Sequence, residues 1–189
     1  MKIRVVSTCF NEAQLLPFYL RHYGTFADEI VIYDHDSYDG SRGMIELCQK
    51  ATVKDWPYGP GMDDDAMIKL WAMALRDAVW DHIDWVIVPD IDEFVWCKDI
   101  RSELEDADRN GQKAITAQGW QMAGNGLPVD DGRQIWEQSQ CGVFDPMYSK
   151  PIIVKPNMGL EWIPGRHDFV NVPKADLLNP KFKLLHYRF

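Results

Sequence analysis

The sequence predicts a single α/β domain over residues 1–189, with a mainly parallel central sheet flanked by helices. Three observations predict it. Short β-branched runs alternate with stretches of helical apolar spacing through the first half of the chain. One run, Trp85-Val86-Ile87-Val88-Pro89, lacks the polar alternation of a strand with one wet face and reads as a fully buried strand. Polar clusters at Thr8 to Glu12, Asp34 to Asp39 and Asp90 to Glu93 follow three of the runs. Ligands of such sheets bind beyond the carboxyl ends of the strands, so the three clusters should converge on one edge.

The elements follow in order. Ile3 to Thr8 reads as a strand, with Asn11 as the cap of a helix whose apolar positions are Leu15, Leu16, Tyr19, Leu20 and Tyr23. Glu29 to Tyr33 is a second strand, closed by the polar turn Asp34 to Ser41 and followed by a helix to about Gln49. Ala51 to Val53 is a third, short strand, and Trp56 to Gly61 a Pro- and Gly-rich loop. Asp63, Asp64 and Asp65 crowd the start of a helix, where they suit its dipole; Met67, Leu70, Trp71, Ala74, Leu75 and Ala78 form its core face. Beyond about Asp108 the pattern weakens. Ala114 to Ala117 and Pro151 to Lys155 read as strands, Gly119 to Gly132 as a Gly-rich loop, and Leu184 to Phe189 as a buried strand, which predicts a native chain continuing past Phe189.

Composition excludes several classes. A hydrophobic content of 46% in 189 residues supports a substantial core and argues against disorder. The net charge of −9 argues against a nucleic-acid groove, which needs clustered Lys and Arg. It leaves nucleotide phosphates open, because a divalent cation can bridge carboxylates to a diphosphate. The four cysteines are widely spaced with no Cys-x-x-Cys pair, so neither a zinc ribbon nor a redox motif is expected. No run approaches the roughly 18 apolar residues of a membrane span, so no transmembrane segment and a cytoplasmic location are expected.

The chemistry concentrates at Asp90-Ile91-Asp92. On extended backbone alternate residues share a face, which would let both carboxylates ligate one ion. Mg²⁺ or Mn²⁺ takes oxygen ligands, often only one or two carboxylates, and leaves positions for water and substrate phosphate. Such an ion neutralises charge on a departing diphosphate. The bland alternative, two acids capping a turn, fits less well with the buried strand before them and the two other polar strand ends. Haloacid-dehalogenase-like phosphatases also carry Asp-x-Asp after a buried strand. That class expects Thr or Val where this chain has Glu93-Phe94, and a motif near the first strand.

Taken together, Cys9-Phe10-Asn11-Glu12, Asp34 to Ser41 and Asp84 to Phe94 resemble the glycosyltransferase family 2-like proteins of GT-A fold, specifically a branch with an Asp-x-Asp-Glu-Phe motif related to glycosyltransferase family 92. Gly119-Trp120 with Gly124-Asn125-Gly126, Lys150 to Pro156, and Leu185-His186-Tyr187 match later segments of that branch. The resemblance implies a metal-dependent, inverting transfer of a sugar from a nucleoside diphosphate sugar, by preference UDP-linked, to a hydroxyl of a glycan or lipid-linked acceptor. It implies a nucleotide site at Thr8, Phe10, Asn11, Asp34 and Asp90, and a metal site at Asp92, Asp90 and His186. Glu137 matches the catalytic base best, with Asp145 and Asp168 as alternatives. His167 is a further metal or phosphate candidate. Lys69, Lys150 and Arg166 could neutralise diphosphate, although each alone reads as a solvated side chain. Trp120 suits either a sugar face or the core. The competing function is a sugar- or nucleotide-binding module without turnover.

Overall fold

The computed structural model describes residues 1–124, 126–159, 161–170 and 172–188. Strands and helices alternate through its first half: β1 (Ile3–Cys9), α1 (Leu16–Gly24), β2 (Glu29–Asp34), α2 (Ser41–Leu47), β3 (Ala51–Asp55), α3 (Asp64–Trp80) and β4 (Trp85–Ile87). β1 lies parallel between β2 and β4, and β3 extends the sheet parallel to β2. The local chemistry explains these elements. β1 and β4 are buried along their whole length, as strands of a parallel sheet covered on both faces must be. α3 starts at Asp63, whose side chain accepts the Ala66 N–H at 2.8 Å, and buries Leu70, Trp71, Ala74, Leu75 and Ala78 on one face. Trp71, Trp85, Tyr19 and Tyr23 are among the largest fully buried side chains, and the apolar area they remove from water anchors the core.

The second half contains β5 (Glu93–Trp96), α4 (Ile100–Arg109), β6 (Ala114–Ala123), α5 (Ile135–Gln138), β7 (Cys141–Phe144), β8 (Lys150–Val154) and β9 (Leu178–Tyr187). The strand order is β3-β2-β1-β4-β8-β6-β9-β5, with β7 paired to β6. β8 runs antiparallel to both β4 and β6, β9 runs parallel to β6, and β5 closes antiparallel on β9. β6 shifts register on both sides, between Ile115 and Ala117 against β8 and between Thr116 and Gln118 against β9. Such irregularities bend a strand and increase its twist, so the sheet curls at β6. Among the described residues, no helix is long and apolar enough to cross a membrane.

Three local expectations are corrected. Asn11 does not cap α1, which begins one residue after Leu15. Its backbone adopts φ 57°, and its side chain instead accepts the Tyr38 N–H at 2.9 Å, tying the loop after β1 to the loop after β2. Gly119 to Ala123 is not loop: pairing with β7 on one side and β9 on the other carries β6 through to Ala123. Gly119 belongs in that strand because the Tyr148–Ser149 backbone crosses so closely that a Cβ would collide with it. Asn125 and Phe189, parts of the expected Gly-rich loop and last strand, lie outside the described residues.

Candidate functional site

The carboxyl ends of β1 and β4 open on a cleft of about 670 Å³ that also receives residues from the segments before β8 and at the end of β9. β1 contributes Thr8 and the residues after it, Phe10 and Glu12; β4 leads to Asp90 and Asp92; His186 comes from β9. Residues of two of the three expected clusters, Thr8 to Glu12 and Asp90 to Glu93, thus meet at the cleft, whereas Tyr38 and Asp39 of the third line a neighbouring hollow.

Asp90 and Asp92 do not stand on extended backbone. The Glu93 N–H donates to the Asp90 carbonyl at 3.0 Å, so the two acids occupy the first and third positions of a turn and reach different partners. Asp90 Oδ1 accepts from the Arg166 guanidinium, and its Oδ2 lies 3.2 Å from Lys150 Nζ. Arg166 also donates to the Val88 carbonyl and lies over the Trp71 ring at 4.6 Å. Lys150 makes a second ion pair with Glu93 at 2.5 Å, and the other Glu93 oxygen accepts the Asp90 N–H at 3.0 Å. Burial pushes the Asp90 carboxyl up, but the charges of Arg166 and Lys150 outweigh it and hold the group down at about 2. Glu93 goes the other way: burial, then the neighbouring Asp90 charge, raise it against the pull of Lys150. Lys150 and Arg166, which in isolation read as solvated, are therefore buried members of a four-residue charge network.

Asp92 is separate from that network. Its Oδ2 lies 3.2 Å from His186 Nε2, while its carbonyl accepts the Tyr187 N–H at 2.9 Å. The imidazole is fixed on two sides, stacked on Tyr148 at 4.7 Å between centroids and 3.0 Å from Gln121 Oε1 through Nδ1. With the amide oxygen accepting, Nδ1 carries the hydrogen and the Nε2 lone pair faces the carboxylate. Two acceptors then meet, an arrangement that calls for a proton or a metal ion between them. Ligands about 2.1 Å from an octahedral ion stand about 3.0 Å apart when cis, close to the observed separation. Among the described residues no group of three or more His, Cys, Asp or Glu is arranged to hold a metal. A divalent cation held here would have only Asp92 and His186 as protein ligands and would take its other ligands from phosphate oxygens and water.

The other predicted residues are dispersed around this centre. Thr8 and Phe10 line the cleft, Phe10 being 48% exposed and edge-on to His35 and Tyr38. Asn11 lines a neighbouring hollow of about 550 Å³ that shares Glu12, Asp92 and Arg188 with the cleft. Asp34 is only 2% exposed; its Oδ2 is engaged by the Ser37 N–H at 3.3 Å, whereas Oδ1 has no hydrogen-bond partner among the described residues. Glu137 lies outside the cleft lining, and its carboxylate accepts the Gln134 N–H at 2.7 Å in a capping box that starts α5. Asp145 and Asp168 are likewise occupied with backbone N–H groups, of Met147 and of Phe169 and Lys174. His167 does line the cleft.

Sequence reasoning missed Glu12, Tyr148 and Arg188 as site residues. Glu12 had a signal, its place in the first strand-end cluster. Burial and then the charges of Asp92, Asp39 and Asp90 push its carboxyl up to about 7. The folded state thus holds this proton more tightly than the unfolded chain, so Glu12 contributes stability below its ordinary value of 4.5 that is lost as pH rises through about 7. Thermal melts between about pH 5 and about pH 8 should show Glu12→Gln gaining on the parent as pH rises; parallel curves would mean that the acids do not share one field.

No family model and no curated protein matches the sequence. Solved structures match in architecture. S. aureus TarS 1-349 in complex with UDP-GlcNAc superposes with a TM-score of 0.62 at 12% identity, covering 100% of this chain and 59% of that one. The fold is GT-A. S. aureus TarS matches with a TM-score of 0.54 at 14% identity over 100% of this chain and 37% of that one, and TarS 1-349 in complex with UDP with 0.51 at 18% over 82% and 47%. The chain thus spans about half the length of these GT-A structures.

Proposed function

We propose that the protein is a metal-dependent, inverting glycosyltransferase that moves a sugar from a UDP-linked donor to a hydroxyl of a glycan or lipid-linked acceptor. The observation that carries this reading is the Asp92–His186 pair, a carboxylate oxygen and an imidazole nitrogen 3.2 Å apart in a cleft at the carboxyl ends of a parallel sheet. The GT-A likeness, which includes a structure with UDP-GlcNAc bound, supports it.

In this reading Thr8, Phe10, Asn11 and Asp34 form the nucleoside end, and Asp92 and His186 hold Mn²⁺ or Mg²⁺. The ion supplies charge neutralisation for the leaving diphosphate. Asp90 serves this reading by its ion pairs with Lys150 and Arg166, which hold the turn that carries Asp92. Titrating the protein with UDP-GlcNAc and other nucleoside diphosphate sugars, with and without Mn²⁺, should raise its melting temperature only for a matching donor and more strongly with the ion. No stabilisation by any donor would sink the reading.

The base is tested separately. Glu137 can accept a proton from the acceptor only after its carboxylate leaves the Gln134 amide. Glu137→Gln is expected to abolish turnover while sparing donor binding; retained turnover moves the role to Asp145 or Asp168. The position of Glu137 outside the cleft also favours the second reading, a nucleotide-sugar-binding module, for which the parent protein would bind donor and release no UDP.

A further inference from the structure

Strand alternation builds a second surface behind the cleft. Gln121 and His186 meet on the cleft side of β6 and β9, so their neighbours Trp120, Met122 and Leu185 point to the opposite face. There Trp96 of β5, Lys183 of β9 and Trp136 of α5 complete a groove of about 390 Å³. That volume lies within the roughly 300–1,000 Å³ of small-molecule sites.

Three features define what fits. The first is aromatic area: the Trp96, Trp120 and Trp136 side chains are half-buried, and Phe144, 44% exposed, extends the surface 5.9 Å from Trp120. The second is charge. Lys183 Nζ sits 5.2 Å from the Trp96 ring and 5.5 Å from that of Trp120, and it makes no ion pair among the described residues. In a chain of net charge −9, that leaves a cation over two indoles with no carboxylate of its own. The third is an orphan donor, Trp120 Nε1, which is buried without a hydrogen-bond partner among the described residues, so that a ligand meets it only once the indole turns outward.

We propose that this groove binds a carbohydrate carrying a carboxylate. The C–H faces of pyranose rings lie on the indoles, a ring hydroxyl accepts from Trp120 Nε1, and the carboxylate pairs with Lys183. A purely aliphatic ligand would leave both the donor and the cation unmet. Gly142 keeps the groove open beside Met122, since a Cβ there would stand 2.6 Å from the methionine sulfur. The site is separate from the Asp92–His186 cleft, so it stands or falls independently of the donor chemistry.

The test titrates the whole protein with a hyaluronan tetrasaccharide, using neutral chitotetraose and an oligoglutamate peptide as comparisons. Calorimetry and the indole N–H resonance of Trp120 are the readouts. Saturable hyaluronan binding that shifts that resonance is expected, with chitotetraose about tenfold weaker. Lys183→Met should weaken hyaluronan binding about tenfold and Lys183→Arg restore most of it, with unchanged melting temperatures confirming that both variants fold. Trp120→Phe keeps a ring but removes the donor, and should also weaken binding. No hyaluronan binding, equal affinity for chitotetraose, indifference to Lys183→Met, or tighter binding of the peptide would each overturn the proposal.

Discussion

Replacing Asp92 by Asn is expected to lower sugar transfer by about 10²–10³-fold and to remove most of its dependence on added Mn²⁺. Asn keeps the size of the side chain and one oxygen but loses the charge that balances the imidazole or an ion. The fold should survive, because among the described residues Asp92 stands apart from the buried charge network, and its backbone contact, accepting the Tyr187 N–H, uses the carbonyl. UDP binding without metal should therefore change little, whereas the metal-dependent part of the thermal shift should vanish. His186→Asn should reproduce the metal phenotype more mildly, since the carboxylate remains. A metal-dependent shift that persists in Asp92→Asn would place the ion elsewhere and remove the central support for the transferase reading. Asp90→Asn offers the contrast. It loosens Arg166 and Lys150, and its signature should be lost stability rather than lost metal response.

The second large effect is on stability. Lys150→Met should destabilise the protein by about 3–5 kcal/mol, because it strands Glu93, which is 1% exposed, without its cation. For a domain of this size the melting temperature should fall by roughly 6–20 °C. The loss should depend on pH with a definite sign. Without Lys150, burial and the Asp90 charge raise the Glu93 carboxyl against the Arg166 charge alone, so the folded state binds a proton that the unfolded chain releases. Stability is then retained below the ordinary carboxylate value of 4.5 and declines as pH rises above it. The double variant Lys150→Met with Glu93→Gln should recover much of the loss, since removing both members of a buried pair costs less than removing one. Equal losses at acid and neutral pH, with no recovery in the double variant, would show that Lys150 acts through packing alone.

The parallel half of the fold was legible because each of its elements carries its own signal. β1, β2 and β4 are apolar runs, and α3 announces its start through Asp63. α4 carries such signals too: Asp99 caps it through the Ser102 N–H, and Ile100, Leu104 and Ala107 fall at helical spacing. β5 and β7 had no such signal. Each is four residues long, and each exists through pairing with a distant strand, as when Glu93 faces His186 across 93 positions of chain. The site divides the same way. Its place at the strand ends followed from topology, but the partners of Asp90 did not, because Lys150 and Arg166 lie 60 and 76 residues downstream and only the folded chain shows them buried. The assumption of extended backbone at Asp90 to Asp92 failed because a four-residue turn and an extended strand end carry the same short motif.

β9 carries two chemistries on one ribbon, with His186 turned to the cleft and Lys183 and Leu185 to the aromatic groove. That arrangement works like a reading frame with a period of two. Inserting or deleting one residue between Phe182 and His186 would swing the imidazole behind the sheet and push an aliphatic side chain toward Asp92. A two-residue change would keep every side chain on its own side. Natural length variation in this strand should therefore come in even steps, and an odd step should cost the molecule both surfaces at once.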